Sequence, residues 1–274
     1  MKKLILNLFL LISILFASSS SYALDFIKFG TSHDADFWND PTELAGVPST
    51  VQYLQQRGKN QTTSIDLTDQ NVQDVFNGDF GAFEAIVVSE TIIQLSPESY
   101  ALFNQYVSDG GCFILTGSHQ AEDDFLNNAF GFNVAVVSVN SGVDTFSIQP
   151  GASGTLFAGG PSGLIAANAT VAFSNTPGID VYNGTTGEAV FTDTFGEGTL
   201  TAIGWDYCCT PPDNPSDIIA WYEVINRAFD QCTGEATSFA RPIPTLSEWG
   251  LIGMAGILGM IGLFAAMRRR KVTA

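Results

Sequence analysis

Six residues place chemistry-bearing side chains just beyond apolar runs. His33 and Asp34, with Asp36, follow FIKFGTS, and Glu90 follows FEAIVVS. Ser118 and His119 follow CFILTG, while Asp206, with Tyr207, follows GTLTAIGW. A hydroxyl, an imidazole and a carboxylate in mutual reach make a nucleophile, its base and an orienting group. Two imidazoles with several carboxylates could instead hold a divalent metal. Each reading meets an objection. Ser118 stands in TGSHQ, not in the G-x-S-x-G turn of a nucleophile elbow, and its neighbour His119 is poorly placed to face it as a base. Asp34-x-Asp36-x-x-x-Asp40 lacks the glycine and terminal glutamate of an EF-hand loop. Such residues also cap helices and bridge loops. No catalytic, cofactor-binding or metal-ligating residue is assigned, no cofactor is expected, and the six stand as a candidate crevice.

The runs before these residues must do the positioning. FIKFGTS (26–32), TSIDLT, FEAIVVS (83–89), CFILTG and GTLTAIGWDY read as strands, several of them apolar throughout, as when both faces are buried. Helices are expected at 48–57, stopped by Gly58, at 121–130 and at 216–229. Another begins with Ser96 as N-cap and Pro97 in the first turn, and ends at Gly110-Gly111. Between Val134 and Val190 the texture turns to short alternating runs rich in Gly, Ser, Thr and Asn, a β-rich insertion or extension. Alternating strands and helices predict an α/β fold with a doubly wound, mostly parallel, flavodoxin-like sheet. In such a fold the candidate crevice lies beyond the carboxyl ends of the strands.

YVSDGGCFILTG, and the late strand GTLTAIGWDY followed by a helix, resemble the class I glutamine amidotransferase-like fold across most of residues 26–230. Catalytic members carry a cysteine on the tight turn after a strand. Here ILTGSHQA puts Thr116, Gly117 and Ser118 there, and Cys112 opens its strand at the other end. The resemblance therefore implies the fold and withholds the glutaminase activity.

The two ends of the chain speak of compartment. Lys2 and Lys3, an apolar run from Leu4 to Phe16 and Ser21-Tyr22-Ala23 make a secretory signal peptide cut after Ala23 by signal peptidase. Residues 250–267 are uncharged and precede Arg268, Arg269, Arg270 and Lys271. Eighteen residues at about 1.5 Å each span roughly 27 Å, enough for a transmembrane helix, and the basic cluster predicts a cytoplasmic end. Glycines at 250, 253, 256, 259 and 262 wind around that helix and weaken it. Composition alone fits either a plain anchor or a segment handled within the membrane. Ile243, Pro244, Thr245, Leu246, Trp249 and Gly250, then the apolar run and the basic end, resemble the IPTL-CTERM sorting signal, similar in layout to the PEP-CTERM signals of exosortases. The resemblance implies an exosortase-type transpeptidase as partner, cleavage near the motif and transfer to the cell surface from an inner-membrane intermediate whose body faces the periplasm. Pro244 lacks an amide hydrogen and disfavours helix before it, keeping the motif extended.

The expected order is thus a signal peptide (1–23), an α/β ectodomain (24–232, with 134–190 β-rich), a linker (233–242) and the sorting signal (243–274). From Leu24 to Ala240 there are 27 acidic residues against four basic ones, Lys28, Arg57, Lys59 and Arg227, a net charge of −23. Phosphate contact needs a cationic surface, so nucleic acid is excluded as a partner. Export permits disulfides, and the four cysteines allow three complete connectivities. A bridge from Cys208 or Cys209 to Cys232 is expected, with Cys112 left as a buried thiol. Two functions stay open for the ectodomain: a binding or structural module, and a hydrolase of degenerate amidotransferase-like fold acting on envelope or extracellular polymer.

Overall fold

The computed structural model describes residues 23–30, 38–39, 47–89, 94–117, 121–139, 144–167, 169–205, 207 and 214–234. The elements run β1 (Leu24–Gly30), α1 (Thr50–Gln55), β2 (Lys59–Asp66), α2 (Asp69–Phe76), β3 (Ala85–Ser89), α3 (Pro97–Ser108), β4 (Cys112–Thr116) and α4 (Glu122–Phe130). There follow β5 (Ala135–Val139), β6 (Thr145–Ile148), β7 (Gly163–Ile165), β8 (Thr170–Ser174), β9 (Ile179–Asn183), β10 (Glu188–Phe195), β11 (Gly198–Ile203) and α5 (Pro215–Thr233).

Local chemistry explains the helix boundaries. Ser49 closes a capping box with Gln52 ahead of α1, and Ser96 accepts from the Ser99 amide with Pro97 in the first turn of α3. Asn214 caps α5, which also opens on a proline and ends at Gly234 in a left-handed conformation.

The strands form one mixed sheet of 11, in the order β2-β1-β3-β4-β11-β10-β9-β6-β7, with β8 paired to β10 and β5 paired to β8. This corrects the doubly wound, mostly parallel sheet expected above. Only β2, β1, β3, β4 and β11 form parallel ladders; every pairing beyond β11 is antiparallel. The reason is the length of the connections. Gly196 and Glu197 alone join β10 to β11, and Gly196 takes a positive φ of 62°. A two-residue link can only return the chain antiparallel, whereas a parallel neighbour needs a crossover of a dozen residues or more. The expected transmembrane helix is likewise not part of the observed architecture. No helix among the described residues is long and apolar enough to cross a membrane, and residues 250–267 lie outside them.

Alternation along the strands feeds two cores. Phe26, Val87 and Ile114 face one way and pack with Tyr53 and Leu54 of α1 and Trp221, Ile225 and Phe229 of α5. Ile27, Phe29, Val88 and Phe113 face the other way, against Val72 of α2, Phe103 of α3 and Phe125 of α4. The large antiparallel half shares both cores, since Val181 and Tyr182 join the first and Phe173 and Phe191 the second.

The disulfide expectation also needs correcting. Cys232 is bridged to Cys112, with Cα atoms 5.2 Å apart, so Cys112 is no free thiol. A helix that follows a strand runs back across the sheet, and the 19 residues of α5 cover about 28 Å at 1.5 Å per residue. Its end therefore returns to the edge where β4 starts, at the other end of the sheet from Ile203, where β11 stops. Cys208 and Cys209, which come later in the sequence, lie outside the described residues.

Candidate functional site

The carboxyl ends of β1, β3, β4 and β11 lie side by side, and their register decides what each presents. Ser89 stands opposite Thr116, and Thr116 stands opposite Ile203. Ile203 belongs to the core beneath α5, so Ser89 and Thr116 point to that same face, because paired residues share a side of the pleat. Both are fully buried. The Ser89 hydroxyl donates to the Phe29 carbonyl at 3.3 Å, tying β1 to β3. The Thr116 hydroxyl has no hydrogen-bond partner among the described residues.

One turn of the pleat below, Lys28 stands opposite Val87 on the same face, and it too is fully buried. Its ammonium lies 5.1 Å from the centre of the Trp38 ring, a cation–π arrangement strengthened by the exclusion of water. Trp38 meets Tyr207 edge-on at 5.7 Å, and Tyr207 lies 4.8 Å from Trp205. Trp205 reaches Trp221 of α5 at 5.7 Å. The Trp205 indole N–H is a second buried donor without an acceptor among the described residues. The Tyr207 hydroxyl donates to the Trp221 carbonyl at 2.9 Å. Burial first, and the neighbouring Tyr222 second, push the Tyr207 phenol far above its usual range, so it stays a neutral donor.

Close packing continues at the strand tips. A Cβ on Gly117 would run into the buried Glu122 side chain, which lies over it from the first turn of α4. Gly204 is pinned between β8 and β10: its carbonyl accepts from the Val171 amide at 2.6 Å and its amide donates to the Ala189 carbonyl at 2.7 Å.

The described neighbours of the predicted crevice residues, namely Gly30, Ser89, Gly117, Trp205 and Tyr207, thus belong to four adjacent parallel strands or follow directly on them. His33, Asp34, Glu90, Ser118, His119 and Asp206 themselves lie outside the described residues. No group of three or more His, Cys, Asp or Glu side chains fit to hold a metal occurs among the described residues. Sequence reasoning missed the buried pair Lys28 and Trp38 and the aromatic wall of Trp205 and Tyr207. A signal for the first was present: in LDFIKFG a lysine sits two residues after Phe26, on the side the strand pattern assigns to the core. Chemically, the face holds two buried donors, the Thr116 hydroxyl and the Trp205 indole N–H, among indole and phenol rings.

Comparison with known proteins adds one motif match and three structural likenesses. Residues 241–270 match the IPTL-CTERM motif. The chain therefore carries a signal that points to export and cell-surface sorting and implies processing by an exosortase-type enzyme. Ile243, Pro244, Thr245, Leu246, Trp249, Gly250, Arg268, Arg269 and Arg270 fall within the match; they and Lys271 lie outside the described residues. No curated protein matches the chain in sequence. Among solved structures, a ThuA-like protein from Parabacteroides merdae is similar at a TM-score of 0.52 and 12% identity, over 80% of this chain and 93% of that one. It loosely fits an amidotransferase-like fold. The mmIFT52 N-terminal domain (TM-score 0.49, 10% identity, 76% and 97% covered) and a cytoplasmic protein from Salmonella typhimurium LT2 (0.49, 12%, 76% and 99%) are also similar. The ThuA-like likeness speaks to fold alone, and the other two carry no argument.

Proposed function

We propose that the chain is an exported envelope protein whose ectodomain serves as a binding or structural module. In this reading an exosortase-type transpeptidase cleaves its C-terminal signal at a membrane-bound stage, and the ectodomain carries no catalytic duty. The observation that carries the proposal is the IPTL-CTERM motif at 241–270. The non-catalytic part is supported by the turn after β4, where Thr116-Gly117 stand in place of a nucleophilic cysteine. The one cysteine of that strand is locked to Cys232 at its opposite end, and a disulfide sulfur cannot serve as the thiolate such a reaction needs.

Two experiments test the two halves. Replacing Ile243, Pro244, Thr245 and Leu246 together by alanine should leave the protein unattached to the surface while it is still exported; unchanged attachment would sink the sorting claim. Replacing His33, Ser118 and His119 by alanine should change no polymer hydrolysis by the full chain. A hydrolysis that vanishes in these variants while the melting temperature holds would establish the hydrolase instead.

A further inference from the structure

Strand β5 is the unguarded edge of this sheet. Its one ladder partner among the described residues is β8, so alternate amides and carbonyls on its other side point outward, a template for a further strand. The other two edges are blunted. β2 reads KNQTTSID, polar but for Ile65, opening on a lysine and ending on an aspartate, and β7 is three residues long with Pro161 two residues before it. β5 reads AVVSV, without charge, proline or glycine. Val137 at its centre is 48% exposed, the most open large apolar side chain among the described residues.

Charge says what fits there. The chain has a net charge of −17, yet from Phe125 to Ile179 its single charged residue is Asp144, and Asp144 is 95% buried and bonded to the Thr186 amide of the turn between β9 and β10. A cationic partner would be drawn to the acidic remainder of the molecule. A partner as acidic as the chain itself is repelled everywhere except across this neutral stretch, and interface cores are depleted in charge. We propose that β5 pairs antiparallel with β5 of a second copy of this chain, about a two-fold axis passing at Val137. Such an interface is self-complementary: Val137 faces its own counterpart, and Ala135 faces Val139 of the other copy. Two sheets then join into one, the backbone bonds supplying the pairing and the alternate side chains the register.

Site-specific crosslinking in the full-length exported chain tests this. Val137→Cys, under mild oxidation on intact cells, should give a covalent dimer on a non-reducing gel. Ala135→Cys should give little, because the two introduced thiols stand four residues out of register, about 13 Å apart. Ile219→Cys, on the open face of α5 (37% exposed), should give none. Adding Ser138→Lys to Val137→Cys should cut the dimer yield at least tenfold, and raising the salt from 50 to 500 mM should increase it as repulsion is screened. No dimer from Val137→Cys, or equal yields at 135, 137 and 219, would overturn the pairing. A covalent dimer that survives Ser138→Lys in full would do the same.

Discussion

A single carboxylate, Asp144, organises the turn between β9 and β10. It accepts from the Thr145, Thr185 and Thr186 amides at 2.8, 3.3 and 2.9 Å and from the Thr186 hydroxyl at 2.6 Å. Burial alone would raise its pKa, but these bonds from Thr186, Thr185 and Thr145 outweigh it and hold the carboxyl below the usual range. A depressed pKa means that the folded state prefers the ionised form. This stabilisation is whole above the ordinary carboxylate range and fades as pH falls through the lowered folded value, below about pH 4. Asp144→Ala should cost about 3 kcal/mol at pH 7, since it strands buried donors. In urea melts Asp144→Asn should differ most from the parent at neutral pH and converge with it near pH 2; a constant gap would refute this account. Gly204→Ala tests a different constraint. Its new methyl would strike the Val171 carbonyl of β8, so a loss of about 3 kcal/mol is expected in the same melts. Neither role was legible in the sequence. Asp144 follows an uneventful NSGV, and Gly204 looks like any strand-end glycine, because the partners of both come from segments tens of residues away.

Helix α5 is fastened at its far end by two devices. The Cys112–Cys232 bridge closes a separation of 120 residues. Two residues earlier, the Asp230 carboxylate meets the Lys59 ammonium at 2.7 Å, both side chains under 5% exposed, and the Asn226 amide donates to the same carboxylate at 3.4 Å. Reducing the bridge should lower stability by about 2–5 kcal/mol and move the thermal midpoint down by several degrees. An unchanged midpoint under reductant would mean that the bridge holds nothing. Asp230→Ala should cost about 3–5 kcal/mol by leaving a buried ammonium unmatched, whereas Lys59→Met with Asp230→Leu should recover most of that loss. Elements were the most readable part of the chain. Ser96-Pro97, the apolar runs and the Gly110-Gly111 stop mark out α3 and β3, β4 and β11 from local chemistry alone. Helix α2 was overlooked because DQNVQDVF offers only Val72 and Val75 as fully buried residues. The disulfide was mispaired because spacing along the chain ignores the direction in which α5 runs back.

For the molecule as a whole, alternating strands and helices led to a doubly wound, mostly parallel sheet, which the mixed sheet of 11 strands overturns because its antiparallel half was not anticipated. That half hangs on short links such as Gly196-Glu197, whose consequence is directional, and FTDTFGEGTLT carried the signal as a hairpin pattern. The candidate crevice was placed by a fold rule rather than by its residues, which lie outside the described ones, and the pairing of Lys28 with Trp38 came only with the structure. Acidity is the property with the widest reach: it is the ground for expecting no nucleic-acid partner, and in our proposal it leaves β5 as the face where like molecules meet. The claim that everything else serves is that this protein is sorted through its C-terminal motif. The most direct test is the intact mass of the native protein taken from the cell envelope, measured without reduction. The account predicts a chain that starts at Leu24, ends within or before the IPTLSEWG region, and carries the added mass of a surface group. A mass that includes every residue through Ala274 with nothing attached would contradict it.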